Sequence, residues 1–187
     1  KRTNVGLHAV TGVLLALLFA RLAAAAGAPR SVWPGAAVLA LVWTLHPLHV
    51  STVLYVIQRM ALLAALFSVA GMLLYLDGRR RWEAGLPGAR WRVGAALLGC
   101  LPLAAFSKET GVLLPLLCLA LEATVLAGSR GLREWRFLRG LYVACLIAPA
   151  LLAAGLYVAG YHEQMARAWE AKPYTMWERL LTQARVH

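Results

Sequence analysis

The chain has 187 residues, 61% of them hydrophobic and 14% charged, with a mean hydropathy of +0.66. A soluble domain of that length needs more polar surface to stay dispersed, and a disordered chain holds far fewer apolar residues. The net charge of +11 comes in short basic runs between apolar stretches, such as Arg79-Arg80-Arg81 and the series Arg130, Arg133, Arg136, Arg139; that distribution orients a membrane protein and argues against nucleic-acid binding.

Six apolar segments follow one another, at residues 5–26, 34–45, 60–76, 93–106, 111–127 and 141–161. They predict an all-α, polytopic transmembrane helix bundle with juxtamembrane helices on the outer face. The connectors at 27–33, 77–92 and 128–139 are rich in arginine; those at 46–59, 107–110 and 162–187 carry mixed polar residues. The two kinds alternate, so the arginine-rich connectors are expected on the cytoplasmic side, with the mixed connectors and the N-terminus outside. The segment 93–106 makes a helix of roughly 21 Å against a ~30 Å hydrocarbon core. Ser107-Lys108-Glu109 is therefore expected below the outer headgroups, or the bilayer thins there.

Residues 1–161 read as the bundle, part of a larger domain. Residues 162–187 read as an outer-face amphipathic segment leading to a further membrane helix. In it Met165, Trp169, Met176, Trp177, Leu180, Leu181 and Val186 alternate with charged residues, and Pro173 divides it. A chain that starts at Lys1 without a signal-peptide pattern and stops within a helical pattern is expected to be a piece of a longer protein. Cys100, Cys118 and Cys145 lie far apart in apolar stretches, and read as small core residues rather than a disulfide framework or zinc site.

Three polar clusters fall on the predicted outer side. The first is His46-Pro47-Leu48-His49 with Gln58-Arg59. From Val50 the pattern reads as a surface helix that carries Gln58 and Arg59 into the membrane. An arginine there, with no acidic neighbour, suits a lipid phosphate, which its fork binds bidentately; snorkelling to headgroups is the plain alternative. His46 and His49 are spaced to share a helix face, but no third ligand accompanies them, so no metal is expected and hydrogen bonding to substrate or loop is the preferred reading. In the second cluster, Lys108 and Glu109 either neutralise each other or leave Lys108 to a phosphate while Glu109 fixes a neighbour. The third comprises Arg179, Gln183 and Arg185, candidate outer-face contacts, the first two on one helix face. Glu122, near the cytoplasmic end of its segment, is expected to pair with Arg130 or to reach the interface. His8 and Arg21 stand near the outer and inner ends of the first segment, where snorkelling accommodates them.

The stretch HPLHVSTVLYVIQRMALLAALF, residues 46–67, resembles the HP-x-H/Q-x-E-x-V…R signature of polytopic GT-C glycosyltransferases, and specifically the transmembrane-and-TPR O-mannosyltransferase-like proteins and their bacterial relatives. AAFSKETGVLLPLLCLALE, residues 104–122, is similar to their SKE…LP…E segment, and ERLLTQARV, residues 178–186, to the segment before their next membrane helix. GLHAVTG, residues 6–12, resembles their H-x-x-N helix with Thr11 in place of Asn, and Ser51 stands where many relatives carry Glu. Together these stretches cover most of the chain.

The resemblance implies a GT-C-like membrane enzyme that transfers a sugar from a polyprenyl-phosphate carrier to an acceptor, a protein by preference, on the outer or periplasmic face. No cofactor is implied beyond the lipid-linked donor. The base in such enzymes is an Asp in the first outer loop, and the sole aspartate here, Asp77, falls on the predicted cytoplasmic side. The base is thus expected upstream of Lys1, and no catalytic residue within the chain. Arg59 and Lys108 would bind the carrier phosphate, with His46, His49, Gln58 and Glu109 around them, and TPR repeats would follow the chain. The alternative is a non-catalytic membrane scaffold or assembly subunit. A transporter ranks last, for want of repeat symmetry or a mid-span acid. The Ala-, Leu- and Arg-rich composition suggests a bacterial inner membrane.

Overall fold

A computed structural model describes residues 1–126 and 132–161, together with residues 163, 167, 177, 178, 181 and 182. Arg130, Arg179, Gln183 and Arg185 lie outside the described residues. All regular structure among the described residues is helical.

Helix α1 runs Arg2–Ala25. The buried Asn4, His8, Thr11 and Leu18 and the half-buried Leu15, Leu22 and Ala25 fall at steps of three and four, with buried Gly12 beside Thr11, which makes one inward stripe. That stripe is polar for its first three turns and apolar after. The outward face carries Val5, Val10, Val13 and Leu17, each at least half exposed, a surface suited to hydrocarbon rather than water.

Helix α2, Trp33–Thr44, starts with Pro34 in its first turn, where a missing N–H costs nothing. It returns antiparallel to α1: His8 Nε2 lies 2.8 Å from the Thr44 carbonyl, and Gly12 faces Thr44 so closely that a Cβ there would stand 2.5 Å from its Oγ1. Helix α3, His49–Leu54, is only six residues long. The surface helix expected from Val50 breaks at the extended Tyr55 (φ −86°, ψ 128°); a 3₁₀ turn over Val56–Gln58 then leads into α4, Arg59–Glu83. The β-branched Val53, Val56 and Ile57 are weak helix formers. The Asn4 amide also donates to the carbonyls of Val53 (3.2 Å) and Tyr55 (3.0 Å), which satisfies the groups freed by the break.

Helix α4 continues past the apolar segment, so Asp77 and Arg79–Arg81 are helical rather than part of a connector. It runs parallel to α1, with Asn4 beside Arg59 at one end and Arg21 beside Asp77 at the other. Next comes an ascending rod: α5, Ala89–Gly94, a π-helical stretch over Ala95–Cys100, and α6, Leu101–Ser107. Pro102 explains the wide turn, because its ring crowds the carbonyl four residues back and it donates no hydrogen bond. The rod is antiparallel to α4, with Gly78 against Val93 and Gly71 against Cys100 and Leu114. A 3₁₀ turn, Glu109–Leu113, reverses the chain into α7, Leu114–Thr124, and α8 spans Leu132–Val158. Phe137 and Tyr142 of α8 meet Trp82 and Tyr75, which sets residues 137–145 of α8 antiparallel to α4.

The core gathers Leu18, Tyr75, Leu76, Val93, Leu97, Leu114 and Leu138 around α4, with the three cysteines buried and unpaired. Three helical stretches are long and apolar enough to cross a membrane: Arg2–Ala25, Val56–Glu83 and Arg136–Val158. Helices α2 and α7, with 12 and 11 residues, fall short of the roughly 20 that one crossing takes. The chain divides into two units, Lys1–Cys145 and Leu146–His187. Everything described below belongs to the first.

Candidate functional site

The antiparallel α1–α2 pair and the α3–α4 elbow bring His8, Trp43, His46, His49, Asn4 and Arg59 to one end of the first unit. His49 packs on Trp43, with ring centroids 4.4 Å apart, and lies 5.2 Å from His8 and 6.5 Å from His46. His8 also stacks on Trp43 at 5.5 Å. His8, His46, His49, Thr44 and Val53 line a cavity of about 270 Å³. Against the Thr44 carbonyl, His8 Nε2 must carry the proton, so in the neutral ring Nδ1 is a bare acceptor. That Nδ1 is buried without a hydrogen-bond partner among the described residues. Burial, then the neighbouring His8 and His46, lower the His49 pKa from its ordinary value. His46 is exposed and its Nδ1 accepts from the Leu48 N–H. Among the described residues no three His, Cys, Asp or Glu side chains are placed to share a metal ion.

Arg59, the first residue of α4, is half-buried, and its Nε donates to Asn4 Oδ1 at 3.2 Å. Asn4 thus uses its amide on the elbow carbonyls and its oxygen on Arg59. This orients the guanidinium while leaving its two terminal amino groups without a partner among the described residues. Asn4 is a site residue the sequence reading missed; the available signal was an amide one turn before His8 in an apolar helix. Gln58 is half-buried and makes no side-chain hydrogen bond there.

Lys108 sits at the same end, one element over. It is extended (φ −160°, ψ 147°) and stops α6. Extending the α4–α6 register beyond Gly71 and Cys100 brings Lys108 opposite about Leu63, one turn or ~6 Å below Arg59. The reversal is tight because Gly111 lies on the backbone of Ala104. Neither Lys108 nor Glu109 forms an ion pair among the described residues, so the neutralising Lys108–Glu109 pair weighed from sequence is not formed. Lys108 is half-buried and Glu109 exposed.

The opposite end is rich in arginine. Arg79 and Glu122, 0% and 1% exposed, form an ion pair between α4 and α7. Tyr75 donates to Glu122 Oε1 at 2.7 Å, and Tyr142 donates to the Tyr75 hydroxyl at 2.9 Å. Glu122 therefore does not reach the interface, as one expectation had it; it is buried against Arg79. Arg79, taken as a connector residue, is the largest fully buried side chain described. Tyr75 and Arg79, four apart on one face, were the visible signal. Arg21 is tied to Asp77 at 3.9 Å rather than simply snorkelling, and Asp77 also binds Arg81 at 3.3 Å and Arg92 at 2.8 Å.

No family model, curated protein or solved structure matches the chain.

Proposed function

We propose that the chain forms part of a GT-C-type integral membrane glycosyltransferase. It takes a sugar from a polyprenyl-phosphate carrier and passes it to an acceptor, a protein by preference, at the histidine end. One observation carries this reading. By the α4–α6 register Arg59 and Lys108 fall at the same end of the first unit, both half-buried, and no carboxylate is paired to either among the described residues. Two uncompensated cations at a membrane boundary call for an anion, and a carrier phosphate gains negative charge as the sugar leaves. Arg59 would grip the phosphate with its terminal amino groups while Asn4 holds its Nε. Lys108 would supply a point charge, and His46, His49, Gln58 and Glu109 would border the sugar and acceptor. On this reading the histidine end faces the periplasm and the arginine end the cytoplasm of a bacterial inner membrane.

The test is sugar release from radiolabelled polyprenyl-phosphate sugars by the purified full-length protein, beside Arg59→Ala and Lys108→Ala. Turnover is expected to fall about a hundredfold in each variant, with thermal unfolding little changed. Donor turnover indifferent to both substitutions would overturn the phosphate assignment.

A second reading, a non-catalytic membrane scaffold, has one observation in its favour. The sole aspartate, Asp77, is bound to arginines at the end opposite the histidines. No sugar release, together with no retention of the labelled donor on the purified protein, would favour it.

A further inference from the structure

Between α1 and α4, at the arginine end, lies a groove of about 320 Å³. Leu14 and Leu17 of α1 and Leu73 and Leu74 of α4 form its walls, and Arg21 and Arg80 line it beside Asp77. The charges there do not balance. Asp77 is held at 2.8 Å by Arg92 and 3.3 Å by Arg81, and Arg21 reaches it only at 3.9 Å, with its side chain 52% exposed. Arg80 has no ion pair or side-chain hydrogen bond among the described residues. Three arginines thus reach one aspartate and a fourth, Arg80, lines the same groove, at the end of two helices that are each long and apolar enough to cross a membrane.

We propose that this groove is a binding site for an anionic diacyl phospholipid, with an acyl chain between the leucines and the phosphate between Arg21 and Arg80. The walls exclude a free phosphate as the occupant, because a small ion leaves the apolar surface uncovered. The surplus of guanidinium groups selects an anionic headgroup over a zwitterionic one. The groove lies at the end opposite Arg59 and Lys108, so it is a second lipid site. It rests on the membrane placement in the function proposed above, and not on glycosyl transfer.

The probe is dioleoyl phosphatidylglycerol against dioleoyl phosphatidylcholine, with lipid retained by the detergent-purified protein read by native mass spectrometry. The wild-type protein is expected to retain the anionic lipid preferentially. Arg80→Gln and Arg21→Gln should each lower that retention about fivefold and leave the zwitterionic lipid unchanged. Leu74→Trp, which fills the groove from an exposed position, should lower retention of both lipids. Arg30→Gln, at the same end but outside the groove, should change nothing. Equal retention of the two lipids by wild type, unchanged retention in the groove variants, or an equal loss with Arg30→Gln would each overturn the site. Recovery of the protein in the soluble fraction without detergent would instead remove the membrane placement on which the site depends.

Discussion

Arg79 and Glu122 meet where neither can reach water, so each charge depends on the other. Removing one partner leaves the other ionised in apolar surroundings, which in buried pairs costs about 3–5 kcal/mol. Glu122→Ala is therefore expected to destabilise the bundle by that order, and Arg79→Leu with Glu122→Leu together by much less; thermal unfolding in detergent compares them. Neither the pair nor the His8–Trp43–His49 stack is legible from local sequence. Arg79 and Glu122 are 43 positions apart and His8 and His49 are 41 apart, and whether a charge meets a counter-charge depends on helix register, which hydropathy does not encode. His49 offers a second test. Its folded pKa is lowered, so as pH falls the unfolded ring binds a proton first. The stability contributed by the neutral ring is complete above the ordinary value near 6.5 and declines as pH drops towards the folded value. As pH falls below about 7 the protein should lose stability, and His49→Gln should flatten that slope. A slope unchanged in the variant would assign the titration elsewhere.

At the scale of elements, the apolar segments foretell where the helices lie, and polar chemistry decides where they end. The span 60–76 grows into Arg59–Glu83 because arginine propagates a helix well and its charge suits a helix C-terminus. The expected helix from Val50 fails for the opposite reason, a β-branched run whose carbonyls find a better partner in Asn4. The reversal after Ser107 admits a sharp test. A Cβ at Gly111 would stand 2.2 Å from the Ala104 carbonyl carbon and 2.3 Å from its oxygen, backbone atoms that no rotamer change can clear. Gly111→Ala is expected to cost about 3 kcal/mol or more and to displace Lys108. Gly35→Ala, with nothing within 4 Å, should be neutral or mildly stabilising. Similar melting temperatures for the two variants would refute the close approach.

For the molecule as a whole, charge asymmetry and helix direction tell one story. Among the described residues the chain reverses through α2, α4 and α6, so the connectors at 46–59 and 107–110 fall at one end and those at 27–33 and 77–92 at the other. What the sequence-level alternation of connectors could not supply is the depth of each residue, because short helices and a π-turn break the link between residue count and height. The two ends should lie on opposite sides of a bilayer. The three native cysteines are buried, so single cysteines introduced at the exposed Ser51 and Ala84 can be read without interference. In sealed, uniformly oriented vesicles an impermeant maleimide is expected to label only one of Ser51→Cys and Ala84→Cys until the membrane is opened. Labelling of both from one side would reject the crossing.

The polar opening turns of α1 bear on how the protein is made. Asn4 finds its acceptors on Val53 and Tyr55, and His8 on Thr44, all of them dozens of residues downstream. Until the α2–α3 elbow has been synthesised, those acceptors do not yet exist, and lipid offers none. Insertion of α1 on its own is thus unfavourable at its leading turns, and its final seating waits on the synthesis of the α2–α3 elbow. The biogenesis machinery has to hold α1 until that later stretch completes it.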